Sequence, residues 1–208
     1  MVTWIYHFTH ADNFARIIQS GALICDRECA KNSLTARSIA YSNIKLARAG
    51  TLVEAGPGGN LDEYVPFYFG PRSPMLLAYT TGKVTGRREN PNHIVYFATQ
   101  AEHIAATGHR FAFTDGHPIR QPKAFYDSLD KLNEVDHNLM RAERWKDTDD
   151  DNDRQRRRQA EFLVHRKVPL NAVKFIGVRT ENMAAWVTEV TQNLEPSVPC
   201  VIRPTWYY

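Results

Sequence analysis

Gln159-Ala160-Glu161-Phe162-Leu163-Val164 is an apolar run interrupted by one carboxylate, and it follows a charge-dominated stretch over residues 141–158. Successive side chains of a strand point to opposite faces, so Ala160, Phe162 and Val164 share one face while Glu161 and Leu163 share the other. A carboxylate on a half-buried face is costly unless a cation or a donor-rich ligand meets it. An edge-strand glutamate turned to water has the same local pattern, so the neighbouring segments have to separate the two.

Working outward, aromatic and β-branched runs predict strands at residues 4–8, 23–25, 65–69, 93–99, 110–114, 173–178 and 199–202. Phe14, Ile17 and Ile18 mark one face of a helix over 12–20, with Gly21 as its C-terminal cap. Further helices are expected over 38–48, after Ser73-Pro74, and over 181–194 with Thr180 as N-cap. Thr99 followed by Glu102 has the spacing of a capping box. Pro66 suggests an edge or the start of its strand, and Asp115-Gly116 a turn after residue 114. Strands and helices are mixed without regular alternation, and neither a Walker nor a Rossmann glycine-rich loop is present. The expectation is an α+β fold with a cleft, not a doubly wound sheet.

The chain has 208 residues, enough for one sizeable core, and a single domain over 1–208 is expected. A net charge of +3 permits a polyanionic partner without requiring one, so local clusters matter more than the total. Cys25, Cys29 and Cys200 are an odd set, which argues against a disulfide framework and for a reducing, cytoplasmic setting. His7, His10, Cys25 and Cys29 lack zinc-site spacing, so no metal is expected. No secretory signal or membrane-length apolar run is visible, and a soluble protein is the expectation.

Four clusters carry candidate chemistry. Tyr6-His7-Phe8-Thr9-His10 with Asn13 delivers polar groups from a strand into a helix start, where backbone donors could hold an amide-bearing ring or a phosphate; a core histidine beside a helix cap would read the same way. Tyr64 to Leu76 supplies aromatics able to stack on a flat ring, with Met75 beside them, or simply a core strand entering a helix. Lys45 and Arg48 sit near a helix end, where cations also favour the dipole. Arg154, Arg156, Arg157 and Arg158 follow an acidic run, as in many solvated loops.

Together these segments resemble the DarT family, DNA ADP-ribosyltransferase toxins of bacterial toxin–antitoxin pairs. The resemblance runs through Tyr6-His7-Phe8-Thr9-His10 with Asn13, Ile44-Lys45 with Arg48, Val65-Pro66-Phe67-Tyr68-Phe69, Ser73-Pro74-Met75-Leu76, and Gln159 to Val164, in that order over nearly the whole chain. It implies an ADP-ribosyltransferase fold with a split, mixed or antiparallel sheet, peripheral helices and NAD+ in a central cleft. It implies transfer of ADP-ribose to thymine N3 in single-stranded DNA with release of nicotinamide, and a DarG antitoxin partner whose macrodomain removes the modification. By this resemblance Glu161 and Arg48 are catalytic. His7, Thr9 and Asn13 hold NAD+, Tyr68 and Phe69 wall the pocket, and Met75 and His117 contact the acceptor. Arg154 and Arg157, with Trp145 and Tyr126 as stacking faces, are assigned to the DNA strand, and the chain is expected to act as a monomer. One departure is that Ala47 stands where the family often has a second arginine before Arg48. Two alternatives remain at this stage: an ADP-ribosyltransferase acting on guanine, RNA or protein, and a non-catalytic nucleic-acid binder.

Overall fold

The computed structural model describes residues 2–208. In chain order the elements are β1 (Trp4–His10), α1 (Ala11–Ser20), β2 (Ala22–Ile24), α2 (Asp26–Lys31), α3 (Ser42–Gly50), β3 (Tyr64–Tyr68), α4 (Pro74–Thr80), β4 (Ile94–Gln100), α5 (Ala101–Ala106), β5 (Phe111–Thr114), β6 (Phe125–Tyr126), α6 (His137–Arg141), α7 (Arg154–Arg157), β7 (Glu161–His165), β8 (Lys167–Pro169), β9 (Phe175–Val178), α8 (Glu181–Thr191) and β10 (Cys200–Ile202). The main sheet has the order β10-β9-β4-β1-β3-β7-β5-β6, and β2 pairs with β8 in a second, small sheet. Within the main sheet only β10 and β9 run parallel. This is the α+β architecture expected from the sequence, mostly antiparallel with peripheral helices.

The sheet divides at one seam. β1 and β4 stay in register from Trp4 opposite Gln100 to His10 opposite Ile94, and β3 and β7 from Tyr64 opposite His165 to Tyr68 opposite Glu161. Between β1 and β3 the register holds only at Tyr6 and Tyr68. Pro66 is therefore in an interior strand, not at the edge predicted for it, but it lies beside the split. A residue's N–H and C=O leave a strand on the same side, and the Pro66 carbonyl accepts a 2.8 Å hydrogen bond from His7 Nδ1 across the seam. The missing proline N–H faces the same gap, so no ladder bond is lost.

Alternation places the core. Val65, Phe67, Ala160, Phe162 and Val164 enter the largest apolar cluster, where Phe111 and Phe162 stack with centroids 4.9 Å apart. Leu163 points the other way, joining Val53, Leu61, Tyr64 and Ala112. Each fully buried side chain of this size contributes about 1.5–3 kcal/mol.

Local signals fix several boundaries. Gly21 closes α1 at φ 70, the Ser73 hydroxyl accepts from the Leu76 N–H at 3.2 Å, and Thr180 accepts from the Met183 N–H at 3.3 Å. The expected capping box at Thr99 does not form, because β4 continues through Gln100. Thr99 Oγ1 instead donates to the Ala172 carbonyl at 2.6 Å, and Glu102 accepts from the Thr3 N–H at 3.0 Å. The helix predicted from residue 38 starts at Ser42, and α2 and β8 carry too little periodicity to be anticipated. Asp115-Gly116 does not close a tight hairpin; residues 115–124 form a longer connection, pinned where Asp115 Oδ1 accepts from the Ala124 N–H at 3.1 Å.

Candidate active site

The split opens a cavity of about 460 Å³ between β1 and β3, roofed by the strap before α3. Its lining includes His7, Thr9, Asn13, Arg48, Tyr68, Met75, His117 and Glu161. That volume lies within the range of small-molecule sites, about 300–1,000 Å³.

Glu161 opens β7 opposite Tyr68. Its N–H donates to Thr114 Oγ1 at 3.0 Å, and that hydroxyl donates to the Gly116 carbonyl at 2.6 Å. The carboxylate is not turned to water. Arg48, in the last turn of α3, donates from Nη1 to both carboxylate oxygens at 2.8 and 3.1 Å, and the two side chains are 9% and 6% exposed. One nitrogen serves both oxygens, so lone pairs remain on the carboxylate for a ligand hydroxyl. Arg48 Nη2 is buried and has no hydrogen-bond partner among the described residues, an unmet donor at the cleft. Burial works to lower the Arg48 pKa and is the largest single influence, but the Glu161 charge and hydrogen bond, with Tyr68 and Asp26, together outweigh it and the net shift is upward, so the guanidinium stays protonated.

The walls are set by strand parity. Tyr68 faces the cleft, stacked on Phe8 at 5.9 Å with its hydroxyl 3.8 Å from Met75 Sδ. Burial, then the Glu161 charge, raises the Tyr68 pKa, which keeps it a phenol. Phe69 is on the opposite side of β3, edge-on to Phe113 and Phe162, and does not line this cleft. The expectation that it walls the pocket is corrected by the period-two alternation.

His7 donates from Nδ1 to Pro66, and burial lowers its pKa, so the ring is neutral with an acceptor on Nε2. His117 is buried, and burial followed by Arg120 and Arg48 pushes its pKa down to about 4. Its Nδ1 accepts from the Ile119 N–H at 3.3 Å, which places the neutral ring's proton on Nε2. Thus one neutral histidine brings an acceptor and the other a donor to the same cleft.

Asn13 lines the cavity, but its amide is fully occupied. Nδ2 donates to Thr9 Oγ1 at 3.0 Å and to the Arg37 carbonyl at 2.7 Å, while Oδ1 accepts from the N–H groups of Ala36 and Arg37 at 2.8 and 2.9 Å. Asn13 therefore clamps the strap that carries Ile39 and Tyr41 over the cleft. Arg37 holds the same strap from its side chain, pairing with Glu89 at 2.7 Å. Removing the clamp in Asn13→Ala is expected to raise the KM for the ligand of this cleft about tenfold with a much smaller change in kcat. Four hydrogen bonds of about 1 kcal/mol each are lost, partly replaced by water. Steady-state kinetics on the purified variant would read this, and an unchanged KM would remove the clamp from the argument.

The arginine run is differently placed from its sequence expectation. Arg154 donates to the Arg144 carbonyl at 2.9 Å, and Arg157 pairs with Asp136 at 3.1 Å and with Asp151. Neither lines the cleft. Arg156 bridges Asp115 at 2.9 Å and Asp153 at 2.7 Å, and its carbonyl accepts from the His117 N–H at 2.9 Å. Arg158 donates to the carbonyls of Leu139, Met140 and Arg72. The acidic run thus pairs with Arg154, Arg156 and Arg157 but not with Arg158, and Arg156 docks the loop bearing His117. Tyr126 stacks on Phe113 at 5.3 Å, away from the cleft, whereas Trp145 does line it. The cleft cations without a carboxylate partner among the described residues are Arg16, which donates to the Ser33 carbonyl at 3.3 Å, Lys83 and Arg120, none of which any motif marked. Thr114, which holds the Glu161 backbone, was equally invisible, since a threonine ending a strand is ordinary. Among the described residues no group of three or more His, Cys, Asp or Glu is arranged to hold a metal.

This geometry has close relatives. The family model described as ssDNA thymidine ADP-ribosyltransferase, DarT, matches residues 6–208. A DNA ADP-ribosyl transferase of Thermus sp. (strain 2.9) is 34% identical, the alignment covering 99% of this chain and 96% of that protein. Solved structures of Thermus sp. 2.9 DarT superpose with a TM-score of 0.90 in complex with ADP-ribosylated ssDNA, at 32% identity over 99% of this chain and 96% of that one. The complex with NAD+ gives 0.87 at 30% identity, over 99% and 98%. A Thermosipho africanus DarTG chain in complex with ADP-ribose shares the fold, with a TM-score of 0.78 at 22% identity over 99% of this chain and 51% of that one. With the split sheet, the buried Glu161–Arg48 pair and a match along nearly its whole length, the chain belongs to the DarT family of single-stranded-DNA thymidine ADP-ribosyltransferases.

Proposed function

We propose that this chain cleaves the nicotinamide–ribose bond of NAD+ and transfers ADP-ribose to thymine N3 in single-stranded DNA. The observation that carries the reading is the buried Glu161–Arg48 pair at the seam of the split sheet, with one guanidinium nitrogen left unpartnered. Breaking the C1′–N bond sends its electron pair to the pyridinium ring, so neutral nicotinamide leaves and positive charge develops on the ribose. A fixed carboxylate beside that ribose is stronger in the transition state than in the ground state, which is the condition for acceleration. Glu161 fills that role, its free lone pairs accepting from ribose hydroxyls. The N3 lone pair then forms the new bond to C1′, and the N3 proton passes to the Glu161 carboxylate. Arg48 cannot act as the base, because its pKa is raised; it orients the carboxylate and offers Nη2 to the ligand.

Within the same reading, His7 and Thr9 hold the nicotinamide end, Tyr68 supplies a flat wall, and Met75 and His117 face the acceptor base. The same reading takes the chain as one domain over 1–208 acting as a monomer. Family membership supports a DarG antitoxin as its cellular partner. No described helix is long and apolar enough to cross a membrane.

The test is to incubate the purified chain with labelled NAD+ and separate pools of DNA, RNA and protein. Label on thymidine of single-stranded DNA, seen as an ADP-ribose mass shift on the nucleoside, is the expected result. Label confined to RNA or protein would move the acceptor assignment. Binding of a thymine-bearing oligonucleotide should also weaken with salt by roughly 0.7 log units per phosphate contact per tenfold salt. A flat response would take Lys83 and Arg120 out of the interface.

A further inference from the structure

A second cavity, of about 420 Å³, lies beside the catalytic cleft and shares none of its lining residues. We propose that it is a subsite for a nucleotide of the acceptor strand flanking the modified thymidine, an inference that rests on the single-strand transferase reading. The half-buried Trp4 and Tyr6 give it aromatic faces, with the buried Phe69 behind them, and Arg72, Arg141 and Arg158 give it positive charge against the carboxylate of Glu143. Aromatic faces within a cationic groove are what a single strand needs, because every base has a face to stack and every linkage a charge to meet. Arg72 and Arg141 form no ion pair with a carboxylate among the described residues. Nη1 and Nη2 of Arg158 are taken by backbone carbonyls and its Nε is buried without a partner among the described residues, so it acts there as a fixed charge.

The two cavities are joined by one partition. Trp145, in the cleft wall, donates from Nε1 to the Tyr208 hydroxyl at 3.3 Å, and that hydroxyl donates to the Arg72 carbonyl at 2.9 Å. The Arg72 guanidinium lies 4.8 Å from the centroid of the Tyr208 ring. The same short segments serve both sides: Gly70 to Arg72 line the second cavity while Pro74 and Met75 line the cleft, and Met140 to Glu143 precede Trp145 in the same way. Two residues span at most about 7 Å, so only a thin wall of chain separates the cavities, and a strand with its thymidine in the cleft sets a flanking base in the second one. Phe69, buried and absent from the NAD+ cleft, lines this cavity instead.

The experiment uses the full chain, NAD+ and a set of thymidine-bearing oligonucleotides, each abasic at one flanking position, with wild-type protein, Arg141→Ala and Arg141→Glu. Arg141 is exposed, so both variants should fold. For the wild type, one abasic position is expected to lower kcat/KM about tenfold, the scale of one stacked base. Arg141→Glu is expected to lower kcat/KM for the intact strand by about the same factor, Arg141→Ala by less, and neither should move the KM for NAD+. The abasic penalty at that position should shrink in the Arg141→Glu protein, because base and cation act in one pocket. Identical abasic profiles and rates in all three proteins would overturn the subsite and leave the transferase reading intact. If no thymidine is modified by any of them, both fall.

Discussion

Glu161→Gln is expected to lower ADP-ribosyl transfer about a thousandfold while changing NAD+ affinity only a few-fold. The substitution keeps shape and the acceptor for Arg48 Nη1, and removes only the negative charge. A preorganised group aimed at developing charge is worth about 10²–10³ in rate, and in the proposed mechanism the same carboxylate also receives the acceptor proton. Rates of mass shift on a thymidine oligonucleotide at saturating NAD+, with calorimetric NAD+ binding alongside, separate chemistry from affinity. A variant with wild-type turnover would return the chain to the class of non-catalytic nucleic-acid binders.

Arg48→Ala should fail in a second way, through stability. It leaves the Glu161 carboxylate buried at 6% exposure without its cation. Removing one partner of such a pair costs about 3–5 kcal/mol, which for a chain of this size lowers Tm by roughly 10 °C. Transfer is lost as well, since Glu161 is no longer oriented. Arg48→Lys keeps the charge but not the second guanidinium nitrogen, so it should regain most of the stability and little of the activity. The double variant Arg48→Met with Glu161→Leu should regain stability with no transfer at all, because an apolar pair of similar volume avoids the desolvation penalty. An unchanged melting temperature for Arg48→Ala would mean that the ion pair contributes nothing to the fold.

Much of the site was legible because its signals are local. The parity of residues 160–164 and 65–69 follows from the strand period alone, so Glu161 and Tyr68 could be assigned faces before any tertiary contact was known. The same rule applied to Phe69 would have excluded it from the cleft; the family resemblance drew it in. The caps at Gly21, Ser73 and Thr180 were readable for the same reason, each satisfying backbone groups within one turn. Thr99 misled because its hydroxyl found a carbonyl 73 residues away, which no window along the chain can reveal.

The sequence by itself determined the α+β class, the order of the elements, the side of the strand on which Glu161 stands and the family likeness of its motifs. Only the tertiary structure decided that Glu161 meets Arg48 across 113 residues, that Asn13 clamps a strap, and that Arg154 and Arg157 both pair with Asp151 of their own acidic run. The division has one physical cause. Backbone periodicity and capping depend on neighbours within a few residues, whereas the chemistry of a charged group depends on which charges, donors and solvent face it after the chain has closed.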